Sequence, residues 1–350
     1  MSKQVLMKGN EAIGEAAIIA GCRHYFAYPI TPQNEIPAYL SKRMPEVDGT
    51  FLQAESEVAA INMVYGAAAA GKRVMTSSSS PGISLKQEGI SYLAGAELPC
   101  FVVNITRGGP GLGNIAGAQS DYFQSTRGGG NGDYRTIALA PATVQEMADL
   151  TIKGFDLADQ YRMVVLMVGD GYLGQMSEPL VIPKPTAKKF DKPWALTGAK
   201  NRKQNIIASL RLSPEDVLEI HNQHLMEVYK QVAANETMYE TVNTEDADVL
   251  LVAYGTCSRI CKTAMYRLRK EGVKVGLFRP ITLWPFPYEA LGKIGEKMKH
   301  ILTVEMSSGQ MIEDVKLSLC KSKVVDLYGR PGGMIPDPDE IKRRVLSYGK

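Results

Sequence analysis

Strand-length apolar runs alternate with helix-length apolar patterns along most of this 350-residue chain, and that alternation limits its fold more than any other feature. Runs at 24–27, 50–53, 73–76, 100–104 and 164–168 read as strands, with helices at 57–70, 84–93 and 144–157. Strands joined by helices return parallel to one another, and the crossovers cover both faces of the sheet. The same rhythm resumes with strands at 249–253, 274–278, 301–304 and 324–327 and helices near 258–270, 288–298 and 311–319. A chain of this length exceeds one ordinary core. The expected organisation is an α/β domain over 1–180, a linker and helix over 181–245, and a smaller α/β domain over 246–350.

Composition removes several function classes. A net charge of +3 is too small to imply nucleic acid as a partner. The longest apolar runs cannot span a bilayer, and the opening residues lack the apolar stretch of a signal peptide, so a cytoplasmic protein is expected. Cys22, Cys100, Cys257, Cys261 and Cys320 are scattered, which reads as five free, buried thiols. Cys257 and Cys261 share one helix face, and no run suits an iron–sulfur cluster held by this chain alone.

Between 179 and 204, Pro179, Pro183, Pro185 and Pro193 interrupt the pattern, and seven basic residues stand against Asp191 alone. The segment reads as a solvated linker, with contact to a phosphate or an acidic partner as the alternative. Helix starts are signalled by Asn10 as a cap, by Thr31 before Pro32, and by Ser213 before Pro214.

No GxGxxG opens the first strand–helix unit, and no GxxxxGK[ST] is present. The glycine-rich stretches 108–113 and 128–132 flank Gln119-Ser120-Asp121 and read as a long functional loop. Gly169-Asp170-Gly171 looks like a diphosphate- and Mg²⁺-binding segment, but prolines intervene before Asn201 and Asn205. A plain strand-ending turn is favoured there.

Two polar groups carry the chemistry. Glu57 opens a helix of Val58, Ala59, Ala60, Ile61, Met63 and Val64 that offers almost no polar side, so the helix is expected to be buried. A carboxylate at a buried end costs desolvation and commonly has a proton to manage, although the helix dipole alone favours an acid in that turn. Arg107 ends a strand, where open α/β sheets bind ligands. Its guanidinium suits a substrate carboxylate, or equally an acid at a subunit surface.

Taken together these segments resemble the α subunit of 2-oxoacid:ferredoxin oxidoreductases. Tyr28-Pro29-Ile30-Thr31-Pro32 matches the family's YPITP motif, and Ser56-Glu57 with its Ala-rich helix matches the segment carrying the thiamine-activating glutamate. Thr106-Arg107 matches the substrate-binding arginine, and the likeness continues through Arg279-Pro280-Ile281-Thr282-Leu283-Trp284-Pro285-Phe286-Pro287. The opening 5–12 and the run 53–97 look most like the branched-chain enzyme acting on 3-methyl-2-oxobutanoate, with the 2-oxoglutarate enzyme as near rival.

The resemblance implies a thiamine-diphosphate pyrimidine-binding domain, a parallel sheet with helices on both faces. A smaller transketolase C-terminal-like α/β domain, concerned with assembly, would follow. It implies a hetero-oligomeric, coenzyme A-dependent enzyme of anaerobic metabolism that converts a 2-oxoacid to acyl-CoA and CO2 and passes electrons to ferredoxin. Thiamine diphosphate would be shared with a β subunit, with Mg²⁺ and [4Fe-4S] clusters on partner subunits, including ferredoxin-like γ and δ chains. In this chain Glu57, Pro29 and Ile30 would hold the cofactor, Glu57 at ring nitrogen N1′. Thr31 and Arg107 would hold the oxoacid, and Glu57, Thr31 and Arg107 form the implied catalytic set. The β subunit of a lipoamide-linked dehydrogenase, or a non-catalytic assembly or coenzyme A-binding subunit, remain alternatives.

Overall fold

The computed structural model describes residues 4–184 and 188–349; the first three residues, Pro185 of the linker and Lys350 lie outside the described residues. The first half runs β1 (Gln4–Lys8), α1 (Gly9–Ile19), β2 (His24–Ala27), α2 (Glu35–Glu46), β3 (Thr50–Gln53), α3 (Glu57–Ala69), β4 (Val74–Ser78) and α4 (Pro81–Gly95). It continues with β5 (Cys100–Thr106), α5 (Tyr122–Arg127), β6 (Ile137–Leu139), α6 (Val144–Tyr161), β7 (Val164–Asp170), α7 (Gly171–Gln175) and β8 (Ser177–Val181). Beyond the linker come α8 (Val217–Asn235), β9 (Tyr239–Val242), β10 (Val249–Val252), α9 (Gly255–Lys270), β11 (Val275–Pro280) and β12 (Thr282–Trp284). The chain closes with α10 (Tyr288–Gly295), β13 (His300–Glu305), α11 (Met311–Leu317), β14 (Val325–Gly329) and α12 (Pro338–Ser347).

Two α/β sheets result. The larger has the order β12-β6-β7-β5-β4-β2-β3 and is parallel except for β12, which joins β6 antiparallel. The smaller has the order β14-β13-β10-β11-β9, with β9 antiparallel at its edge. A separate antiparallel pair, β1 with β8, ties the chain's opening to the start of the linker. The segment with sequence Arg279-Pro280 through Pro287 therefore divides its strands, β11 to the smaller sheet and β12 to the larger.

Helices cover both faces because alternate residues of the central strands point to opposite sides. On β5, Phe101, Val103 and Ile105 face a core that includes Ile13, Met75 and Phe155. Cys100 and Val102 face a second core, which runs on through Leu166 to Val252, Phe278 and Leu291. That second core is shared by the two sheets. Polar contacts reinforce the junction: Asp314 of α11 accepts from Tyr122 at 2.6 Å and from Arg127 at 2.9 Å, both on α5.

Several helix starts differ from the sequence reading. The helix expected at Thr31–Pro32 begins at Glu35, because the Pro32 carbonyl is taken by Asn10 Nδ2 at 2.8 Å and Gln175 Nε2 at 3.0 Å. Asn10 is accordingly not a cap; it lies inside α1 and its amide joins that turn to Glu35 Oε2 at 2.8 Å. The helix expected from Ser213 begins at Val217. Cys320 is exposed, unlike the other four thiols, since it sits in the turn after α11 and outside both cores.

The basic linker is packed rather than solvated over part of its length. Lys192 pairs with Asp159 at 2.5 Å, Leu196 N donates to the Ala69 carbonyl, and the Arg162 guanidinium lies over Trp194. Lys188 and Lys189 line a cavity of about 670 Å³ with Arg23, Lys72 and Arg73, at the amino ends of β2 and β4.

Candidate functional site

Strand order places the site. From β2 the chain moves to one neighbour, β3, and then crosses back to the other side as β4. A crevice opens where such connections diverge, outside the carboxyl ends of the strands. The loop Tyr28–Pro32 leaves β2 there, Ser79 and Ser80 leave β4, Arg107 leaves β5, and the start of α3 lies between them. Thr31, Glu57 and Arg107 thus come to the carboxyl edge of one sheet.

Glu57 is the first residue of α3. Ser56 caps the helix by accepting from Ala59 N at 3.1 Å, which turns the Glu57 side chain inward, and the residue is only 6% exposed. Among the described residues nothing donates a hydrogen bond to its carboxylate. Room for that carboxylate comes from Gly82, where a Cβ would lie 2.5 Å from Glu57 Oε1 and 2.0 Å from Ser78 Oγ. The buried hydroxyls of Ser78 and Ser79 are likewise unpartnered. Buried polar groups are normally satisfied, so two orphaned hydroxyls beside a carboxylate that accepts no hydrogen bond mark a place for a polar ligand.

Arg107 is 8% exposed and reaches toward the β2 loop: one terminal nitrogen donates to the Thr31 carbonyl at 2.9 Å and the other to the Leu112 carbonyl at 3.1 Å. Its Nε has no partner. Thr31 itself is exposed, and its hydroxyl accepts from Asn34 Nδ2 at 3.3 Å, so Arg107 meets its backbone and not its hydroxyl. Pro29 and Ile30 are half-buried in the same loop.

A polar lattice lies beneath these groups, and of its members only Asp121 stood out in the sequence, in the loop Gln119-Ser120-Asp121. Ser80 holds the unusual φ of 23°, and its Oγ accepts from Arg107 N at 3.0 Å while its N donates to Asn104 Oδ1 at 3.0 Å. Strained backbone of this kind clusters at functional sites. Asn104 in turn donates to Asp121 at 2.9 Å, and burial pushes the Asp121 carboxyl up against the pull of its hydrogen bonds. On the β2 side, Ser77 Oγ bonds Tyr25 Oη at 2.6 Å and Gln33 Oε1 at 2.5 Å. The available signal was the run Ser77-Ser78-Ser79-Ser80-Pro81-Gly82, four hydroxyls where an apolar strand would end.

Asp170 of the GDG segment ends β7 and caps α7, accepting from Tyr172 N and Leu173 N at 3.1 Å each. Among the described residues no cluster of three His, Cys, Asp or Glu side chains could hold a metal ion. None of the described helices is long and apolar enough to cross a membrane. One expectation changes: α3 is not buried all round, since Val58, Asn62 and Gly66 are exposed, with Leu85 and Tyr92 of α4 also exposed. The apolar pattern was real, but its outer stripe faces away from both cores.

Comparison with known proteins agrees with this architecture. Residues 15–246 match the family described as pyruvate flavodoxin/ferredoxin oxidoreductase, thiamine diphosphate-binding, and residues 247–341 match pyruvate:ferredoxin oxidoreductase core domain II. The chain is 51% identical to the ketoisovalerate oxidoreductase subunit VorB of Methanothermobacter marburgensis, over 97% of this chain and 96% of that one. It is 35% identical to the 2-oxoglutarate synthase subunit KorA of Methanocaldococcus jannaschii, over 98% of this chain and 100% of that one. Among solved structures it resembles the 2-oxoglutarate:ferredoxin oxidoreductase of Magnetococcus marinus, solved with 2-oxoglutarate, coenzyme A and succinyl-CoA bound. That match has a TM-score of 0.90 and 30% identity, covering 99% of this chain but only 65% of the other. A split-gene transketolase shares the fold alone, with a TM-score of 0.61 at 14% identity.

Proposed function

This chain belongs to the 2-oxoacid:ferredoxin oxidoreductase family, and from that premise we propose that it is the α subunit of an enzyme oxidatively decarboxylating 3-methyl-2-oxobutanoate to its acyl-CoA. The greater identity to VorB than to KorA supports the branched-chain substrate over 2-oxoglutarate. Ferredoxin would take the electrons and coenzyme A the acyl group. A β subunit would share thiamine diphosphate and carry Mg²⁺, and γ and δ subunits would carry [4Fe-4S] clusters. The exposed apolar stripe of Val58, Leu85 and Tyr92, on the helices that flank the crevice, suits such a partner. Residues 1–180 would serve as the pyrimidine-binding domain and 246–350 as the assembly domain.

The observation that carries the reading is the buried Glu57 carboxylate with no hydrogen-bond donor, facing a cradle that any side chain at position 82 would fill. The residues present fit the cofactor's aminopyrimidine. Glu57 would hold a proton at ring nitrogen N1′, and Pro29 and Ile30 would contact the ring. When bound, thiamine diphosphate supplies the electron sink for loss of CO2. Arg107 complements the substrate carboxylate, since its Nε is free while its terminal nitrogens brace it against the Thr31 and Leu112 carbonyls. Thr31, exposed at the mouth, would orient the oxo oxygen.

The test is Glu57→Gln in the reconstituted complex, followed by reduction of ferredoxin or a viologen dye with both oxoacids. A loss of ~10²–10⁴ in rate is expected, the span for general acid–base help. Near wild-type turnover, or a requirement for lipoamide, would overturn the reading.

A further inference from the structure

Lys86 is a lysine with no exposed surface, in a chain whose other lysines reach solvent or an ion pair in most cases. It lies on α4, one turn beyond Gly82, the residue on which the Glu57 carboxylate rests. Its Nζ donates to Thr76 Oγ1 at 2.7 Å and to the Ser77 carbonyl at 3.0 Å. Ser77 Oγ bonds Gln33 Oε1, and Gln33 Nε2 donates to the Tyr28 carbonyl at 3.4 Å, at the head of the loop that carries Thr31. Lys86 therefore sits under both halves of the crevice.

A merely structural tie between α4 and β4 does not call for a cation, because an uncharged side chain would fill the space without the desolvation cost of an ammonium group. We propose that Lys86 is a positioning residue for Glu57, its buried ammonium, fixed on Thr76 and the Ser77 carbonyl one turn beyond Gly82, serving as the counter-charge to that carboxylate. This rests on the thiamine reading above. The titratable groups facing Lys86 are Glu57 from α3 and Cys100 from β5. Burial pushes the Cys100 thiol up to about 12, so it stays neutral, and Glu57 is left as the counter-charge. Burial likewise pushes the Lys86 ammonium down to about 7, with the Glu57 charge pulling it back up. As pH rises through that value the ammonium is lost, and with it the counter-charge to Glu57.

Two measurements test the proposal on the full chain and on the reconstituted complex. With ¹³Cε-lysine labelling, the resonance absent from Lys86→Met should titrate near neutral pH in the wild type. In Glu57→Gln it should titrate about one pH unit or more lower, as loss of a nearby opposite charge requires. In the complex, the pH dependence of thiamine diphosphate affinity should carry the same ionisation, lose it in Lys86→Met, and in Lys86→Arg stay at the wild type's low-pH level as pH rises, because a guanidinium keeps its charge. A Lys86 titration unmoved by Glu57→Gln, or a Lys86→Met affinity profile superimposable on the wild type, would overturn it. Coupled titration with cofactor affinity unchanged in Glu57→Gln would support the Lys86–Glu57 pair and defeat the thiamine reading alone.

Discussion

Replacing Lys86 by methionine should make the protein more stable in mild acid and less stable in base. The ammonium falls from its ordinary 10.5 to about 7 because it is fully buried, and each tenfold change in proton affinity is worth about 1.4 kcal/mol. Its burial in charged form therefore costs about 5 kcal/mol. The unfolded chain keeps this proton up to 10.5 whereas the folded chain releases it near 7, so unfolding takes up a proton between those values. The penalty is complete below the folded value, shrinks as pH rises, and is gone above the unfolded value. Methionine fills the same space but leaves Thr76 Oγ1 and the Ser77 carbonyl without their donor, at about 1–2 kcal/mol each. The variant should then gain about 2 kcal/mol at pH ~6 and lose about 2 kcal/mol at pH ~10. Denaturant midpoints of the full chain at several pH values measure this directly. A stability difference that does not change sign with pH would refute the reasoning, as would a variant weaker than wild type at pH ~6.

Other substitutions probe the rest of the site. Gly82→Ala should displace the Glu57 carboxylate and weaken thiamine diphosphate binding, read by titration of the complex with cofactor. Its control is Gly66→Ala on the open face of α3, which should stabilise the fold by about 0.5–1 kcal/mol in a denaturant titration. Arg107→Met should raise KM for the oxoacid about 10–100-fold, the loss of a charged hydrogen bond, with a smaller effect on KM for coenzyme A. Asp314→Ala should cost about 3 kcal/mol in a denaturant titration, since Tyr122, Tyr288 and Arg127 all lose a buried acceptor.

Strands could be read from sequence because their signal is local: the unbroken apolar runs Val164–Val168 on β7 and Val249–Val252 on β10 leave little choice of state. Glu57 and Arg107 were visible for a related reason, each being a charge at the end of an apolar element. Thr31 and Asn10 were misjudged because the helix-start signal at each was overruled by a tertiary partner: the amide of Asn10 claims the Pro32 carbonyl 22 residues away. Lys86 escaped notice because Leu85, Gln87 and Glu88 around it read as an ordinary half-exposed helix. Only the packing of α4 on β4 shows that it points inward. The antiparallel partner of β6 was equally hidden, as nothing in Thr282-Leu283-Trp284 names the sheet it will join.

That last pairing bears on how the chain must be made. β6 is finished at Leu139, yet the strand that covers its outer edge, Thr282–Trp284, follows only after β7, β8, the linker and three further strands, β9 to β11. At translation rates of about 5–20 residues per second, a ribosome leaves that edge bare for on the order of ten seconds or more. An uncovered strand edge invites pairing with another chain. Nascent molecules on one message are therefore at their stickiest in this interval, and any fragment ending before Thr282 keeps that hazard permanently.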